Sequence, residues 1–354
     1  MREVKKDIRA FSEAELVDIL KEKGEPKFRA KQIYEWLWKK TAHQFDDMSN
    51  LSKPLRDWLN EHFVINAVKI DEMQISGDKT IKCAMKLADN HVVESVLIPT
   101  KSRMTACISS QVGCSLTCKF CATGKLKRLR NLNADEIYDQ VALVKNLAET
   151  KYNQSLTNIV YMGMGEPLLN YAETIRSVDR ITSPDGLGMS PSRITVSTAG
   201  IAKMIMKLGD DQVKFNLALS LHAANDEKRN QIMPINETNS LENLEQALNY
   251  FYEKTGTRVT FEYIVFKDFN DGLQDAKELG DFCDKTTAKV NIIEYNPIDG
   301  GEFKQTTPER LNAFVNHLEK RGIIVNVRRS RGKDIDAACG QLVNKNKATV
   351  QIFK

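Results

Sequence analysis

Three cysteines in one short segment have a spacing that suits a soft metal centre. They are Cys114, Cys118 and Cys121, at intervals of four and three residues, so one compact loop can turn all three thiols towards a common point. Thiolates favour zinc or iron–sulfur clusters, and a closed zinc site or a fully ligated cube needs four protein ligands. Three cysteines therefore predict a cubane [4Fe-4S] cluster with one open iron, which could chelate the amino and carboxylate groups of a methionine-derived ligand.

A structural zinc site is the alternative interpretation of the same cysteines. Its fourth ligand would have to come from Cys107 or His222. The chain has seven cysteines in all, an odd number, and no apolar signal segment at its start. These features argue against a disulfide framework and favour metal binding or thiol chemistry.

A glycine-rich turn follows the next predicted strand, residues 158–162. In residues 163–167 the glycines would let the backbone approach a ligand closely, and Glu166 could accept hydrogen bonds from an ammonium group. Alone this turn is a weak signal, but it lies one βα unit after the cysteines. Other predicted strand ends carry groups that could hold a nucleoside, although each taken singly is better explained as a cap, turn or loop residue. These are Ser197, Ser220, Leu221, His222 and Asn296.

The cysteine spacing resembles the signature of the radical S-adenosylmethionine (SAM) superfamily. Two further segments, one around Cys107 and one around Cys339, closely resemble the ribosomal and transfer RNA adenine C2-methyltransferases, as do residues 162–168. The resemblance extends from about residue 90 to about residue 343. It implies one [4Fe-4S] cluster on the three cysteines, two SAM molecules per turnover, and a methionyl amine held at Gly165 and Glu166.

The implied reaction explains why isolated cysteines are needed. Adenine C2 is not nucleophilic, so it has no lone pair to receive a methyl group by polar transfer. By resemblance, Cys339 accepts a methyl group from one SAM, and a 5′-deoxyadenosyl radical from the second removes a hydrogen from it. The methylene radical then adds to C2. Glu94 would remove the C2 proton, and Cys107, with some thiolate character, would attack the Cys339 sulfur and leave a disulfide to be reduced.

Three other functions fit parts of the same pattern. Enzymes that methylate adenine C8 and confer antibiotic resistance share the cysteine arrangement, but that branch has alanine in place of Pro167 and cysteine in place of Val112. A non-enzymatic iron–sulfur or zinc protein that binds RNA or transfers electrons would need four metal ligands and would not cleave SAM. Radical enzymes that activate other proteins would not explain Cys339.

The elements that must position these residues alternate as strands and helices from about residue 100 onwards. Repeated βα units predict an α/β fold with a parallel sheet or barrel and chemistry at the carboxyl ends of the strands. The resemblance implies a radical SAM partial (β/α)6 barrel with a small N-terminal helical domain. We expect four regions: an RNA-docking helical domain at 1–65, a connector hairpin at 66–99, the barrel at 100–335, and a C-terminal segment at 336–354.

The N-terminal region is predicted to be helical. Ser12 and Glu15 form a capping box ahead of an apolar face that ends at Gly24, and a second helix is expected over residues 28–40. The three tryptophans of the chain lie here among basic residues, as either a small core with a solvated rim or an RNA surface. Alternation over residues 81–87 predicts a half-exposed hairpin.

The overall charge says little about partners, since 51 basic and 47 acidic residues leave a net charge of +4. Basic residues do flank the proposed site, where phosphate contacts to a flipped or single-stranded adenine would lie. They are Lys119, Lys125, Lys127, Arg128, Arg130, Arg328, Arg329, Arg331 and Lys333. The resemblance implies 23S ribosomal RNA and transfer RNA as substrates and a flavodoxin-like electron donor. No apolar run is long enough to span a membrane, and we expect a cytoplasmic monomer.

Overall fold

The computed structural model describes residues 5–344 and begins with a small helical region. Its elements are β1 (Lys6–Asp7), α1 (Glu13–Glu22), α2 (Phe28–Trp38), α3 (Lys53–His62) and β2 (Phe63–Val64). The predicted capping box of Ser12 and Glu15 is confirmed, and α1 is followed by Gly24 at a left-handed φ of 86°. Helix α2 ends at Trp38, earlier than predicted, because Thr41 turns the chain at φ 52° and the Ala42 N–H donates to the Trp36 carbonyl.

The region predicted to be a connector hairpin is a three-stranded antiparallel extension of the main sheet. Its strands are β3 (Lys69–Ile75), β4 (Ile81–Lys86) and β5 (Val92–Pro99). Strands β4 and β5 are almost entirely buried, where a half-exposed pair was expected. Both faces of β5 are covered, since Ser95 hydrogen-bonds Gln140 on one side and Glu94 binds the chain near Val343 on the other.

A row of parallel strands continues the same sheet. Strand β6 (Met104–Cys107) comes first and pairs antiparallel with β5 and parallel with the next strand of the row. Strands β7 (Gln111–Val112) and β8 (Arg130–Asn131) instead form a separate antiparallel pair beside the three-cysteine loop. The parallel strands after β6 are β9 (Asn158–Tyr161), β10 (Ile194–Thr198), β11 (Asn216–Ser220), β12 (Val259–Val265), β13 (Ala288–Glu294) and β14 (Val325–Arg328). The full strand order is β14-β13-β12-β11-β10-β9-β6-β5-β4-β3.

Helices connect the parallel strands as the βα pattern predicts. They are α4 (Ala134–Tyr152), α5 (Tyr171–Thr182), α6 (Ala202–Asp210), α7 (Asp226–Ile232), α8 (Leu241–Thr255), α9 (Leu273–Asp284) and α10 (Pro308–Lys320). The apolar face of α4, with Ile137, Val141 and Val144, is buried against the sheet as predicted. The predicted partial (β/α)6 architecture is confirmed, with β14 as a further parallel strand. Within residues 5–344, no helix combines the length and apolarity that crossing a membrane requires.

A buried ionic cluster joins the helical region to the barrel. The Arg9 guanidinium, only 2% exposed, lies 2.8 Å from Asp139 and 3.3 Å from both Asp7 and Asp135. The Asp139 carboxylate also accepts a hydrogen bond from the Val68 N–H at 3.0 Å. One arginine therefore fixes the start of the chain, the first residues of the sheet extension and helix α4 relative to one another.

Substituting Arg9→Met should destabilise the protein by about 3–5 kcal/mol, because it leaves buried carboxylates without their cation. Burial raises the pKa of Asp135 to about 6, against the opposing effect of Arg9. A raised pKa in the folded state means that this group favours folding less as pH rises through that value. Without Arg9 the pKa of Asp135 rises further. The loss of unfolding free energy in Arg9→Met, relative to the wild type, should therefore be larger at pH 7.5 than at pH 5.5.

Urea unfolding at the two pH values measures this effect. Lys145→Met is the matched control, because Lys145 forms only an exposed pair with Glu149 and its loss should cost less than about 0.5 kcal/mol. A deficit for Arg9→Met that does not change with pH would contradict the expected role of Asp135.

Candidate active site

A cavity opens at the carboxyl ends of the parallel strands, where the fold predicts the chemistry. Many of the residues predicted from the sequence line it, namely Cys114, Cys118, Cys121, Gly165, Glu166, Ser197, Ser220, His222 and Cys339. Four predicted residues lie outside this lining, namely Glu94, Cys107, Leu221 and Asn296. The strand ends and the three-cysteine loop therefore converge as expected, and the four others contribute from behind the cavity wall.

The three-cysteine loop is tightly folded against its surroundings. A Cβ atom on Gly124 would lie 2.8 Å from the Cys118 carbonyl oxygen, so this close turn requires glycine. The Lys119 N–H donates to the Ile232 carbonyl at 3.0 Å, and the Ala122 N–H donates to the Gly340 carbonyl at 2.7 Å. The loop is thereby fixed to the end of α7 and to the C-terminal segment that carries Cys339.

The three thiols lie close together and are partly buried, so iron ions would be needed to stabilise them as thiolates. All are free, and burial raises the pKa of each, to about 11 for Cys114. Cys114 and Cys121 raise the pKa of Cys118 further, so the three lie close enough to repel one another as thiolates. Within residues 5–344 no three His, Cys, Asp or Glu side chains are grouped closely enough to hold a single metal ion. A cubane instead binds each thiolate to a different iron.

Of the two residues that could complete a zinc site, His222 uses its Nδ1 lone pair for a hydrogen bond and Cys107 lies outside the cavity lining. The His222 Nδ1 atom accepts a hydrogen bond from the Ile264 N–H at 3.1 Å. Cys107 lies at the end of β6 and is buried outside the cavity lining. The geometry favours the cluster over the zinc site.

Glu166 is a buried carboxylate that faces the cavity. Its oxygens accept hydrogen bonds from the Leu168 N–H at 3.0 Å and the Ala199 N–H at 2.7 Å. Burial raises its pKa to about 7 despite these bonds. Within residues 5–344 it forms no salt bridge. An ammonium group entering the cavity would balance the negative charge of the Glu166 carboxylate, and the methionyl amine of SAM is such a group.

Gly165 has a packing role that was not expected. Its φ is 98°, and a Cβ atom there would lie 2.5 Å from the Cβ of Gln111. The Gln111 side chain in turn accepts a hydrogen bond from the Glu166 N–H at 2.9 Å. Glycine is therefore required for close packing of the turn against Gln111, which sets the position of Glu166, and the expected approach of a ligand to this cavity-lining glycine stays a prediction.

The predicted nucleoside-binding residues divide into two groups. Ser197 and Ser220 lie 3.4 Å apart on neighbouring strand ends, and His222 beside them has its pKa lowered to about 3 by burial and by Arg229. His222 is thus neutral, and because Nδ1 is an acceptor its proton is on Nε2. Leu221 instead packs in the hydrophobic core, since the strand alternation turns it away from the cavity.

Asn296 supports the proposed carrier cysteine from behind. Its Nδ2 donates to the Cys339 carbonyl at 3.2 Å, while its Oδ1 is buried without a hydrogen-bond partner in the described chain. That unpaired acceptor is suited to a ligand hydroxyl or amine. Cys339 itself lines the cavity and is exposed on that side, whereas protein atoms surround its sulfur on the other sides.

Cys107 and Cys339 are neighbours in the folded chain. Cys339 lies close enough to raise the pKa of Cys107, which burial raises to about 12, and burial raises that of Cys339 to about 11. Arg328 opposes both shifts. Cys107 was expected to have thiolate character, but in this state both groups are thiols because desolvation outweighs the arginine.

Glu94 contacts the C-terminal segment and lies outside the cavity lining. It pairs with Lys82 at 3.4 Å, and its Oε2 accepts hydrogen bonds from the N–H groups of Val343 at 2.8 Å and Asn344 at 3.2 Å. The Asn344 Nδ2 also donates to the Val92 carbonyl at 2.6 Å. In this arrangement Glu94 anchors the segment that carries Cys339, and its role as a base stays a prediction.

Two residues near the site were not found from the sequence. Arg229, fully buried on α7, donates to the carbonyls of Ala199 and Leu221 at 2.6 and 3.1 Å. It thereby supplies hydrogen bonds to backbone carbonyls just beyond the ends of two strands. Its neighbours are polar, so it resembled a surface helix residue. Glu262 lines the cavity from β12. The sequence feature that could have identified it is a charged residue within a strand of mostly apolar residues.

Several of the predicted phosphate-binding residues are engaged within the protein. Arg130 pairs with Asp89 at 2.6 Å and Glu136 at 2.7 Å, which holds β8 in place. The Lys125 ammonium donates to two carbonyls, at Asp299 and Gly300. These two residues therefore have structural partners, a role that the clustering of charge did not predict.

Comparison with known protein families matches both parts of the chain. Residues 6–65 match the family model described as the ribosomal RNA large subunit methyltransferase N-terminal domain. Residues 108–283 match the radical SAM superfamily. The predicted family resemblance is confirmed over the N-terminal helical region and over most of the barrel.

Individual relatives cover almost the whole chain. The probable dual-specificity RNA methyltransferase RlmN of Christiangramia forsetii is 58% identical over 346 residues, covering 98% of each chain. The dual-specificity RNA methyltransferase RlmN of Nitratidesulfovibrio vulgaris is 44% identical, covering 95% of this chain and 92% of that protein. A crystal structure of a radical SAM methyltransferase from Sphaerobacter thermophilus is 38% identical and superposes with a TM-score of 0.90, covering 97% and 99% of the two chains. The chain therefore belongs to the RlmN family of radical SAM RNA methyltransferases.

Proposed function

We propose that this enzyme methylates C2 of adenine in 23S ribosomal RNA and in transfer RNA, with Cys339 as methyl carrier and Cys107 as resolving thiol. The observation that carries the proposal is that Cys339 lines the same cavity as the three cysteines and lies close enough to Cys107 to raise its pKa. Relatives named dual-specificity RNA methyltransferases support the two RNA classes. Pro167 and Val112 favour C2 over C8 as the methylated position.

The cavity residues divide between the two cofactors. Cys114, Cys118 and Cys121 would hold the [4Fe-4S] cluster, and Glu166 would hold the SAM ammonium group, with Asn296 as a further acceptor. When bound, the cluster and two SAM molecules supply a methyl group and a radical that abstracts hydrogen. The neutral His222 can donate from Nε2 without adding positive charge beside the sulfonium.

The protein's own thiols carry the methyl group and release the product. The Cys339 sulfur forms a bond to the methyl carbon and loses its proton, and S-adenosylhomocysteine leaves. After the methylene is joined to C2, the adduct loses the C2 proton and one electron, which the cluster would accept. The deprotonated Cys107 then attacks the Cys339 sulfur, and the sulfur–methylene bond breaks with its electron pair on the carbon. That carbon takes up a proton and stays on the RNA as a methyl group, and the two cysteines form a disulfide that an external dithiol reduces.

The other partners follow from the same proposal. An electron donor of flavodoxin type would reduce the cluster, and one RNA would enter one barrel mouth of a monomer. The cytoplasm supplies both RNA classes and the reducing conditions that return the two cysteines to thiols.

Substitution of the two cysteines should have different effects. Cys339→Ala should abolish RNA methylation, because the methyl carrier is lost. Cys107→Ala should accumulate a covalent protein–RNA adduct, because the Cys339 sulfur can no longer be attacked. Mass spectrometry of the Cys339 peptide and of digested nucleosides, after incubation with SAM, reductant and unmodified RNA, measures both effects.

The same digest tests the site of methylation. The wild-type enzyme should give 2-methyladenosine, whereas 8-methyladenosine would favour the resistance-type reaction. Cys283→Ala is the matched control, since Cys283 is buried on α9 away from the cavity and should retain turnover. Free methylated RNA from Cys107→Ala would refute the resolving role.

Loss of one cluster ligand should be visible without any RNA. Cys118→Ala should lower bound iron to a small fraction of the wild-type value and abolish 5′-deoxyadenosine formation, because two thiolates hold a cube poorly. Iron analysis after anaerobic reconstitution measures this, again with Cys283→Ala as control. A full iron complement in Cys118→Ala would contradict the ligand assignment.

The two possible roles of Glu94 can be separated. If Glu94 is the base, Glu94→Gln should methylate Cys339 normally but accumulate the RNA adduct. Lys82→Met breaks the same ion pair and leaves the carboxylate in place, so it should not accumulate adduct. Slow methylation of Cys339 in both variants would assign Glu94 to anchoring alone.

A further inference from the structure

A row of polar side chains crosses three neighbouring strands inside the barrel. Glu262 on β12, Asn291 on β13 and Asn326 on β14 are paired in register, so their side chains share one face of the sheet. The Asn291 Nδ2 donates to Glu262 at 2.8 Å, and the Asn326 Nδ2 donates to Asn291 at 3.4 Å. Glu262 is buried, Asn291 is half-buried and Asn326 is exposed, so the row runs from the cavity wall to the surface. A buried carboxylate is costly unless it is paired, and Asn291 supplies one of its hydrogen bonds.

Arg328 extends this face at the edge of the sheet. It is in register with Ile293, which is in register with Ile264, and both isoleucines line the cavity. The Arg328 Nη1 lies 3.2 Å from Glu262, with the arginine side chain 45% exposed and the glutamate 5%. An acceptor thus lies at the cavity wall, and a cation beside it reaches the open edge.

Both groups retain capacity for a ligand. An ionised carboxylate has about four lone-pair positions. The hydrogen bonds from Asn291 and Arg328 leave part of this capacity of Glu262 for a ligand. Within residues 5–344, the hydrogen bonds of Arg328 use Nη1, whereas a guanidinium carries five N–H donors. Burial raises the pKa of Glu262, and Arg328 and Asn291 oppose this shift.

The pair has the pattern that adenine requires. Adenine presents an amino donor at position 6 beside ring-nitrogen acceptors, whereas guanine presents an oxygen at position 6. A carboxylate facing position 6 therefore accepts from adenine and repels guanine, while a neighbouring guanidinium donates to the ring nitrogen. Glu262 and Arg328 also lie close enough to Cys339 to influence its thiol, so a base held by them lies beside the carrier.

The pair borders the residues proposed for SAM, because Glu262 is in register with Ser220, and Arg328 extends it away from them to the edge strand. Glu166, Ser197 and His222 follow or end strands β9 to β11, whereas Glu262 lies within β12, three residues before Val265. In the described chain β14 pairs with β13 and forms the edge of the sheet, which leaves a side entrance for a macromolecule.

We propose that Glu262 and Arg328 recognise the target adenine base, with Glu262 accepting from its 6-amino group and Arg328 donating to the adjacent ring nitrogen. Asn291 holds the carboxylate in place. The inference rests on the proposed function, because it names the group that selects adenine for methylation beside Cys339.

The test uses full-length enzyme and two RNA substrates that differ by one amino group. One carries adenosine at the methylated position, and the other carries purine riboside, which lacks the 6-amino group. Under single-turnover conditions the wild-type enzyme should methylate the purine RNA about 10- to 100-fold more slowly. Glu262→Gln should lose a similar factor on adenosine RNA and lose nothing further on purine RNA.

Two further measurements distinguish recognition from a structural or cofactor role. Methylation of Cys339 by SAM without RNA should be no slower in Glu262→Gln than in the wild type, because Glu262 raises the pKa of the Cys339 thiol and its loss favours the thiolate. Glu294→Gln is the matched control, because Glu294 lies on β13 outside the cavity lining, pairs with Lys333, and should keep the adenosine preference.

Each remaining outcome has a definite meaning. An equal loss on both RNAs, with slower methylation of Cys339, would assign Glu262 to the cofactor and overturn the inference while leaving the proposed function intact. Absence of C2 methylation by the wild-type enzyme on the adenosine RNA would overturn the proposed function itself, and the inference with it.

Discussion

The active site depends on the hydrogen bonds that hold the last described residues across the mouth of the barrel. Residues 338–344 carry Cys339 but form no helix or strand of their own, so individual bonds set their position. The three-cysteine loop supplies two of them, from Ala122 to Gly340 and from the Thr123 hydroxyl to the Leu342 carbonyl at 2.6 Å. Because the three-cysteine loop itself holds the segment of Cys339, the proposed carrier thiol keeps a defined position relative to the three proposed cluster ligands.

Desolvation determines the charge state of the cavity before any ligand enters. Burial raises the pKa of Glu166 to about 7 and that of Cys339 to about 11, and it lowers that of His222 to about 3. All three shifts favour the neutral form, so the cavity is suited to ligands that bring charge with them. Arg328 lowers the pKa of both proposed catalytic thiols, Cys107 and Cys339, and so opposes the effect of burial. It also lies where the substrate base is proposed to bind.

Predictions from the sequence were reliable where the chemistry is local. The capping box of α1, the apolar face of α4 and the alternation of strands and helices depend on neighbouring residues, and the structure confirms them. Predictions that depended on packing were less accurate. The hairpin at 66–99 is a buried three-stranded extension because distant segments cover both its faces. The packing of Gly165 against Gln111 was not anticipated either, since Gln111 lies on another strand.

The three-cysteine loop and the family could be identified from sequence because close spacing and short motifs survive without knowledge of the fold. The Glu262–Arg328 pair could not, since its members lie 66 residues apart and meet only through the register of β12, β13 and β14. The same holds for Glu94, whose contact with Val343 spans 249 residues. A sequence specifies which groups are present, but strand register and burial decide which of them meet and whether they are charged.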